Sequence, residues 1–229
     1  GNFPISPIKN KTLFRIFAET IAAVSRRYDT VCPWYIMTSP LNHEQTLAIF
    51  KTDNFYGLDP RNVFIFQQGT LPNFSLDGKI LLAERDQIAR SPDGHGGCIR
   101  ALAHSGALAD MKKRGVEYLT YWQVDNPLVR LFDPLFIGLH ALDGAQMSSR
   151  AVVKSGPKEK VGNFCLVDGK VTVIEYSDLP DELAEMHRPD GSLAFHLGSI
   201  AIHIINTSFV EYLNTKGHTL PLHRAVKKI

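Results

Sequence analysis

Cysteines, long apolar runs and an excess of either charge are what this 229-residue sequence has least of. Its three cysteines, Cys32, Cys98 and Cys165, lie far apart without a CxxC pair. The sequence therefore predicts neither a disulfide framework nor a zinc ribbon, and it favours a reducing, cytoplasmic setting. No stretch reaches the roughly 18 apolar residues that a membrane helix needs, and Gly1 to Lys11 lacks the residue order of a signal peptide. A protein without membrane contact is expected.

The charge balance and the absence of several catalytic motifs exclude further classes of protein. Because 25 basic residues accompany 23 acidic ones, no overall field would recruit nucleic acid, and an anionic ligand needs a local site. The sequence contains no HExxH, no GxSxG elbow, no P-loop lysine and no dinucleotide fingerprint. Metal-dependent hydrolases and serine esterases are therefore not expected.

The apolar pattern predicts an α/β fold. Apolar residues recur at helical spacing from Leu13 to Val24, just before Arg26 and Arg27, which predicts a first helix. Helical segments separate three short apolar runs that are typical of strands: Trp34 to Thr38, Val63 to Phe66 and Tyr118 to Val124. Strands separated in this way pair in parallel through right-handed crossovers. We therefore expect a mostly parallel sheet flanked by helices.

The second half of the sequence has a different pattern. Two β-rich runs, Asn163 to Val167 and Lys170 to Tyr176, are joined by Asp168-Gly169, a dipeptide typical of two-residue hairpins. A further strand is expected near Ser199 to Ile205, with a helix after Thr207. The sheet is thus predicted to carry a small antiparallel insertion.

Polar and glycine residues follow the predicted strands, where open parallel sheets bind their ligands. Gln68 follows the second strand, and a carboxamide that both donates and accepts suits a pyrimidine edge, although a polar loop explains it equally well. The segment from Asp93 to Gly97 precedes a helix that we expect to begin near Cys98. Its backbone would lie at an anion-binding helix N-terminus; an ordinary glycine-rich turn is the alternative.

Two acidic residues follow later strands. Asp125 comes directly after an apolar strand, where a carboxylate can bind Mg²⁺ that also contacts phosphate oxygens; an Asp-Asn turn closed by Pro127 is the alternative. Glu175 ends the second hairpin strand and could accept hydrogen bonds from sugar hydroxyls, or could be an ordinary surface glutamate.

In their order along the chain, these segments resemble the eukaryotic-type UDP-sugar pyrophosphorylase family, in particular the UDP-N-acetylglucosamine and UDP-N-acetylhexosamine pyrophosphorylases. The resemblance covers nearly the whole sequence. It comprises Lys11 to Phe14, Met37 to Ser39, Phe66 to Gly69, Asp93 to Gly97, Val124 to Asn126, Asp133-Pro134, Val161-Gly162, Glu175 to Ser177 and Gly198 to His203.

The resemblance implies a Rossmann-like, GT-A-like nucleotidyltransferase domain over residues 1–229 that converts UTP and a sugar 1-phosphate to UDP-sugar and pyrophosphate with Mg²⁺. By position, the implied nucleotide-binding residues are Gln68, Gly94, His95, Gly96 and Gly97. Asp125 would bind the metal and, with Lys154, be catalytic. The implied sugar-binding residues are Asn126, Gly162, Glu175 and Ser199. The family's N-terminal phosphate loop and C-terminal domain are expected to lie outside this sequence, and a monomer or weak homo-oligomer is expected.

Two residues depart from the resemblance. His95 and Ser199 occupy positions where N-acetylglucosamine enzymes tend to carry asparagine, and a Gly-His-Gly segment is similar to that of UDP-glucose pyrophosphorylases. N-acetylglucosamine 1-phosphate is favoured, with glucose 1-phosphate or a broad range of sugar 1-phosphates as the alternative. A uridine-binding module without turnover is another alternative, whereas a GT-A glycosyltransferase would need a second carboxylate beside Asp125.

Overall fold

The structure, a computed structural model, describes residues 1–217. It divides into two compact units: the first unit comprises Gly1–Glu117 together with the described residues from Asn206 onward, and the second comprises Tyr118–Ile205. The prediction of a single domain over residues 1–229 extends past the described residues and stays a prediction.

The described residues form seven α-helices and eleven strands. The helices are α1 (Leu13–Arg27), α2 (His43–Thr52), α3 (Gly94–His104), α4 (Ala107–Lys113), α5 (Pro134–Leu142), α6 (Asp181–Ala184) and α7 (Thr207–Thr215). The strands are β1 (Trp34–Thr38), β2 (Val63–Gln67), β3 (Thr70–Pro72), β4 (Leu82–Glu84), β5 (Gln87–Ile88), β6 (Arg90–Pro92), β7 (Tyr118–Tyr121), β8 (Met147–Val153), β9 (Gly162–Val167), β10 (Lys170–Ile174) and β11 (Leu197–Asn206).

Helix α1 forms where the apolar spacing predicts it. Thr12 caps its N-terminus by accepting a hydrogen bond from Arg15 N at 3.2 Å. The buried face includes Phe14 and Phe17. The last turn carries Arg26 and Arg27, whose positive charges interact favourably with the negative C-terminal end of the helix dipole. The rings of Phe14, Trp34 and Phe50 pack edge to face at centroid distances of 5.1 to 6.2 Å, which builds the core of the first unit.

The predicted parallel pairing of the first two strands is confirmed. β1 and β2 pair in parallel from Trp34↔Val63 to Thr38↔Gln67, so both strands end at the same edge. The chain continues from this edge with Gln68, whose N–H donates to Thr38 O at 2.8 Å. Beyond it, two short antiparallel pairs that the sequence did not predict, β3 with β6 and β4 with β5, carry the chain to α3.

The second unit contains a sheet in the order β10-β9-β11-β7, with β8 paired to β11. The predicted hairpin is confirmed: β9 and β10 are antiparallel, and Asp168 and Gly169 both have positive φ, at 50° and 74°. The predicted strand from Tyr118 to Val124 is corrected in two respects. It ends at Tyr121, and it pairs with β11 rather than with β1 or β2.

Candidate functional site

A hydrogen bond joins two of the predicted nucleotide-binding residues in the first unit. Gly94 N donates to Gln68 Oε1 at 3.1 Å. The parallel strands bring this contact about, since β2 ends at Gln67 and the ladder between β3 and β6 returns the chain to the same place. A backbone donor and a carboxamide acceptor therefore lie side by side.

The glycine-rich segment is not the loop that the sequence predicts. Helix α3 begins at Gly94 rather than near Cys98, so His95, Gly96 and Gly97 belong to its first turn. The prediction failed because glycine is a poor helix former and three of these four residues are glycine. Gly94 has φ of +73°, in the left-handed region that favours glycine. His95 is exposed in this turn.

Sequence reasoning missed the importance of Asp93 in this cluster. It directly precedes α3, and its N–H donates to Gly69 O at 3.0 Å. Its carboxylate lies against both Gly69 and Gly97, where an added Cβ would collide with it. Burial and the charge of Asp93 together raise the pKa of the Cys98 thiol to about 12, so this thiol stays protonated at neutral pH.

The predicted metal-binding residue lies in an exposed turn of the second unit. Asp125 follows β7 and its side chain is exposed. The next residue, Asn126, closes the turn: its Oδ1 accepts from Leu128 N at 3.1 Å, and its own N–H donates to Gln123 O at 3.3 Å. The carboxylate of Asp125 is thus presented to solvent by a hydrogen-bonded turn.

Three predicted sugar-binding residues meet on the sheet of the second unit. Gly162 and Ser199 are register partners on β9 and β11. A Cβ added to Gly162 would lie 3.7 Å from Ser199 Cβ and 3.7 Å from Glu175 Oε1. Glu175 is exposed directly after β10. The arrangement offers a carboxylate and a hydroxyl around a position that has no side chain.

Lys154 lies beside this cluster, and its ammonium group faces inward. The residue is 6% exposed, and its Nζ donates to Asn163 Oδ1 at 2.6 Å and to Pro157 O at 3.3 Å. Asn163 is 1% exposed and follows Gly162 on β9, so the lysine supports the strand that carries the cluster. The predicted catalytic role of Lys154 in binding phosphate stays a prediction.

Comparison with known proteins identifies the family. The family model for UTP--glucose-1-phosphate uridylyltransferase matches residues 4–227. The chain belongs to this uridylyltransferase family. The match extends over both structural units, so the hydrogen-bonded pair Gln68 and Gly94 and the cluster around Gly162 both lie inside the family's sequence pattern.

Curated proteins similar to this chain are named as pyrophosphorylases of UDP-N-acetylated sugars or as proteins like them. It is 40% identical over 236 residues to the human UDP-N-acetylhexosamine pyrophosphorylase-like protein 1, a match that covers 100% of this chain and 46% of the relative. It is 38% identical over 241 residues to a Schizosaccharomyces pombe protein named "Probable UDP-N-acetylglucosamine pyrophosphorylase", covering 100% of this chain and 51% of that protein. The chain therefore spans about half the length of the curated relatives it matches.

A solved structure supports the same family fold. The UDP-N-acetylglucosamine pyrophosphorylase of Trypanosoma brucei, solved with an inhibitor, is similar with a TM-score of 0.82 and 25% identity; the match covers 92% of this chain and 44% of that one. The α/β nucleotidyltransferase-like fold expected from the sequence is thereby confirmed. Among residues 1–217, no helix is both long and apolar enough to cross a membrane.

Proposed function

We propose that this protein is a uridylyltransferase that joins UTP and a sugar 1-phosphate to form UDP-sugar and pyrophosphate. The observation that carries the proposal is the pairing of Gly94 N with Gln68 Oε1 at 3.1 Å. Membership of the uridylyltransferase family supports it independently.

The pair in the first unit suits a uracil base. Uracil presents a donor, N3–H, next to an acceptor, O4, and the Gln68 oxygen and the Gly94 N–H present the reverse pattern. In the structure the Gly94 N–H donates to Gln68 Oε1. When uracil binds, this hydrogen bond is replaced by one from N3–H to the Gln68 oxygen and one from the Gly94 N–H to O4. Cytosine has an amino group in place of O4, and a backbone N–H cannot turn around to accept from it. The pair therefore favours uridine over cytidine nucleotides.

The cluster in the second unit suits a sugar. Glu175 and Ser199 supply a carboxylate and a hydroxyl, and both can accept hydrogen bonds from sugar hydroxyl groups. Gly162 lies between them without a side chain, and the Val173 side chain packs over its backbone, so Val173 forms the apolar floor beside the two polar groups. Asn126, in the turn after β7, is the fourth residue that we assign to sugar binding.

The second unit offers a carboxylate that could bind Mg²⁺ together with the phosphate groups of the substrate. Among the residues that the structure describes, no group of three His, Cys, Asp or Glu side chains could hold a metal by itself. Mg²⁺ typically takes one or two carboxylates and fills its other positions with phosphate oxygens and water. Asp125 supplies one exposed carboxylate of this kind. When bound, the ion neutralises charge on the phosphate oxygens.

The proposed reaction needs positioning more than it needs a protein nucleophile. A phosphate oxygen of the sugar 1-phosphate forms a bond to the α-phosphorus of UTP, the bond from that phosphorus to the bridging oxygen breaks, and pyrophosphate leaves. Such a transfer depends on holding the two reacting atoms in line. We assign Gln68 and Gly94 to the base and Gly162, Glu175 and Ser199 to the sugar. Lys154 is proposed to act near phosphate.

We favour N-acetylglucosamine 1-phosphate as the sugar substrate, because the relatives' printed names concern UDP-N-acetylhexosamine and UDP-N-acetylglucosamine.

The three cysteines of the sequence are free rather than disulfide-bonded, which supports a cytoplasmic location.

Pyrophosphate release by the whole protein tests the proposal. The protein is incubated with UTP and Mg²⁺ and with each of four sugar 1-phosphates: N-acetylglucosamine, N-acetylgalactosamine, glucose and galactose. Release that is fastest with N-acetylglucosamine 1-phosphate is the expected result. Binding of UTP without release from any of the four would instead favour a uridine-binding module, and release with glucose 1-phosphate alone would reassign the sugar.

A further inference from the structure

One carboxylate of the first unit has no part in the reaction proposed above. Asp93 lies between β6 and α3, and its Oδ1 is sealed from solvent. This oxygen accepts no hydrogen bond from any residue within the described part of the chain. Buried polar atoms in native proteins are nearly always paired, so an exception needs a physical reason.

Two glycines confine the carboxylate. An added Cβ at Gly69 would collide with Asp93 Oδ2, and one at Gly97 would collide with the whole carboxyl group. The space around the side chain therefore exists only because both positions lack a side chain. The Asp93 N–H is fixed as well, since it donates to Gly69 O at 3.0 Å.

The carboxylate lies over the first turn of α3. Its charge contributes to the raised pKa of the Cys98 thiol, at the fifth position of this helix. A negative charge is favourable at a helix N-terminus, where backbone N–H groups point outward. Three of the first four residues of this turn are glycine, which has the largest backbone freedom to lose on folding. The turn therefore needs an external constraint to keep its N–H groups aligned.

We propose that Asp93 is a positioning residue: confined between Gly69 and Gly97, its carboxylate holds the first turn of α3 so that the Gly94 N–H stays beside the Gln68 carboxamide, in place to donate to the base. The inference rests on the proposed uridylyltransferase function. Asp93 acts through Gly94 and does not itself touch the nucleotide. Its loss should weaken binding of uridine nucleotides and, because Gly94 distinguishes O4 from an amino group, should also reduce discrimination against cytidine.

Titration calorimetry of the whole protein with UTP and with CTP tests the inference. Asp93→Ala should raise the Kd for UTP by up to about tenfold, the effect expected when one hydrogen bond is misdirected. The Kd for CTP divided by the Kd for UTP should fall by up to about tenfold for the same reason. Asp93→Asn should keep the ratio within about threefold, since asparagine has the same shape and fills the same space between Gly69 and Gly97.

An aspartate at the N-terminus of another helix provides the control. Asp133 caps α5, where its Oδ1 accepts from Leu135 N at 3.1 Å. Asp133→Ala should lower the melting temperature and leave the nucleotide ratio unchanged. A ratio that falls equally in both variants would mean that the effect of Asp93 is general destabilisation, and it would overturn the positioning role.

The remaining outcomes separate the inference from the function on which it rests. A parent protein that binds neither nucleotide overturns the proposed function. A parent that prefers UTP, with the same preference in Asp93→Ala, overturns only the role of Asp93. If Asp93→Ala does not fold, Gly97→Ala takes its place: alanine favours the helix but displaces the carboxylate, so an unchanged ratio there also overturns the inference.

Discussion

Gly162 on β9 faces Ser199 on β11, and the absence of a side chain at Gly162 lets Val173 pack between the serine and Glu175. A Cβ on Gly162 would lie 2.6 Å from Val173 Cγ1, closer than packed carbon atoms approach each other. The absence of a side chain at this position thus shapes the proposed sugar cluster as much as the polar groups around it do.

Gly162→Ala should impair use of the sugar and spare the nucleotide. The new methyl group displaces Val173 and narrows the space beside Glu175 and Ser199. We expect the KM for the sugar 1-phosphate to rise by about tenfold or more, with the Kd for UTP unchanged, because uniform loss of binding raises KM. Gly169→Ala in the hairpin turn, where no atom lies within 4 Å of an added Cβ, is the control for backbone strain alone. Equal effects in the two variants would contradict the assignment.

Much of the local structure follows from the sequence, because single strong signals specify it. The apolar spacing of α1 and the Asp168-Gly169 turn need no tertiary information, and both predictions are confirmed. The start of α3 was predicted wrongly because its glycines argue against a helix, and the constraint that overrides them comes from outside the turn. The burial of Asp93 Oδ1 could not be foreseen, since the confinement of the carboxylate depends on Gly69, a neighbour 24 residues away along the chain.

The adjacent glutamines Gln67 and Gln68 allow a matched test of base recognition. Gln68 contacts Gly94, whereas Gln67 is exposed at the end of β2. Gln68→Ala should raise the Kd for UTP by about tenfold, the effect of losing one well-placed hydrogen bond. Gln67→Ala should change it by less than about twofold, as exposed substitutions usually do. Calorimetric titration measures both. A larger effect at Gln67 would transfer the assignment to that residue.

Lys154→Met should reveal whether the buried lysine is mainly structural. The substitution keeps the chain length but leaves Asn163 Oδ1 without its donor, so we expect a loss of about 1–3 kcal/mol in unfolding free energy. Lys158→Met is the control, because that side chain is 66% exposed and its ion pairs with Asp181 and Glu185 contribute little. Denaturant unfolding gives the stability. If Lys154→Met is as stable as the parent but has a lower kcat, the residue acts on phosphate instead.

Asp125→Ala tests the chemical step itself. The side chain is exposed, and the turn that presents it is closed by hydrogen bonds of Asn126, so its removal should leave the fold intact. Turnover should fall by roughly two to three orders of magnitude, as when a group that stabilises transition-state charge is removed. The Kd for UTP measured without Mg²⁺ should not change, because Gln68 and Gly94 remain. Asp143→Ala, at the C-terminal end of α5, is the control for loss of a carboxylate from the same unit. Equal losses of turnover and of metal-free UTP binding in Asp125→Ala would show that Asp125 supports the structure and does not hold the metal.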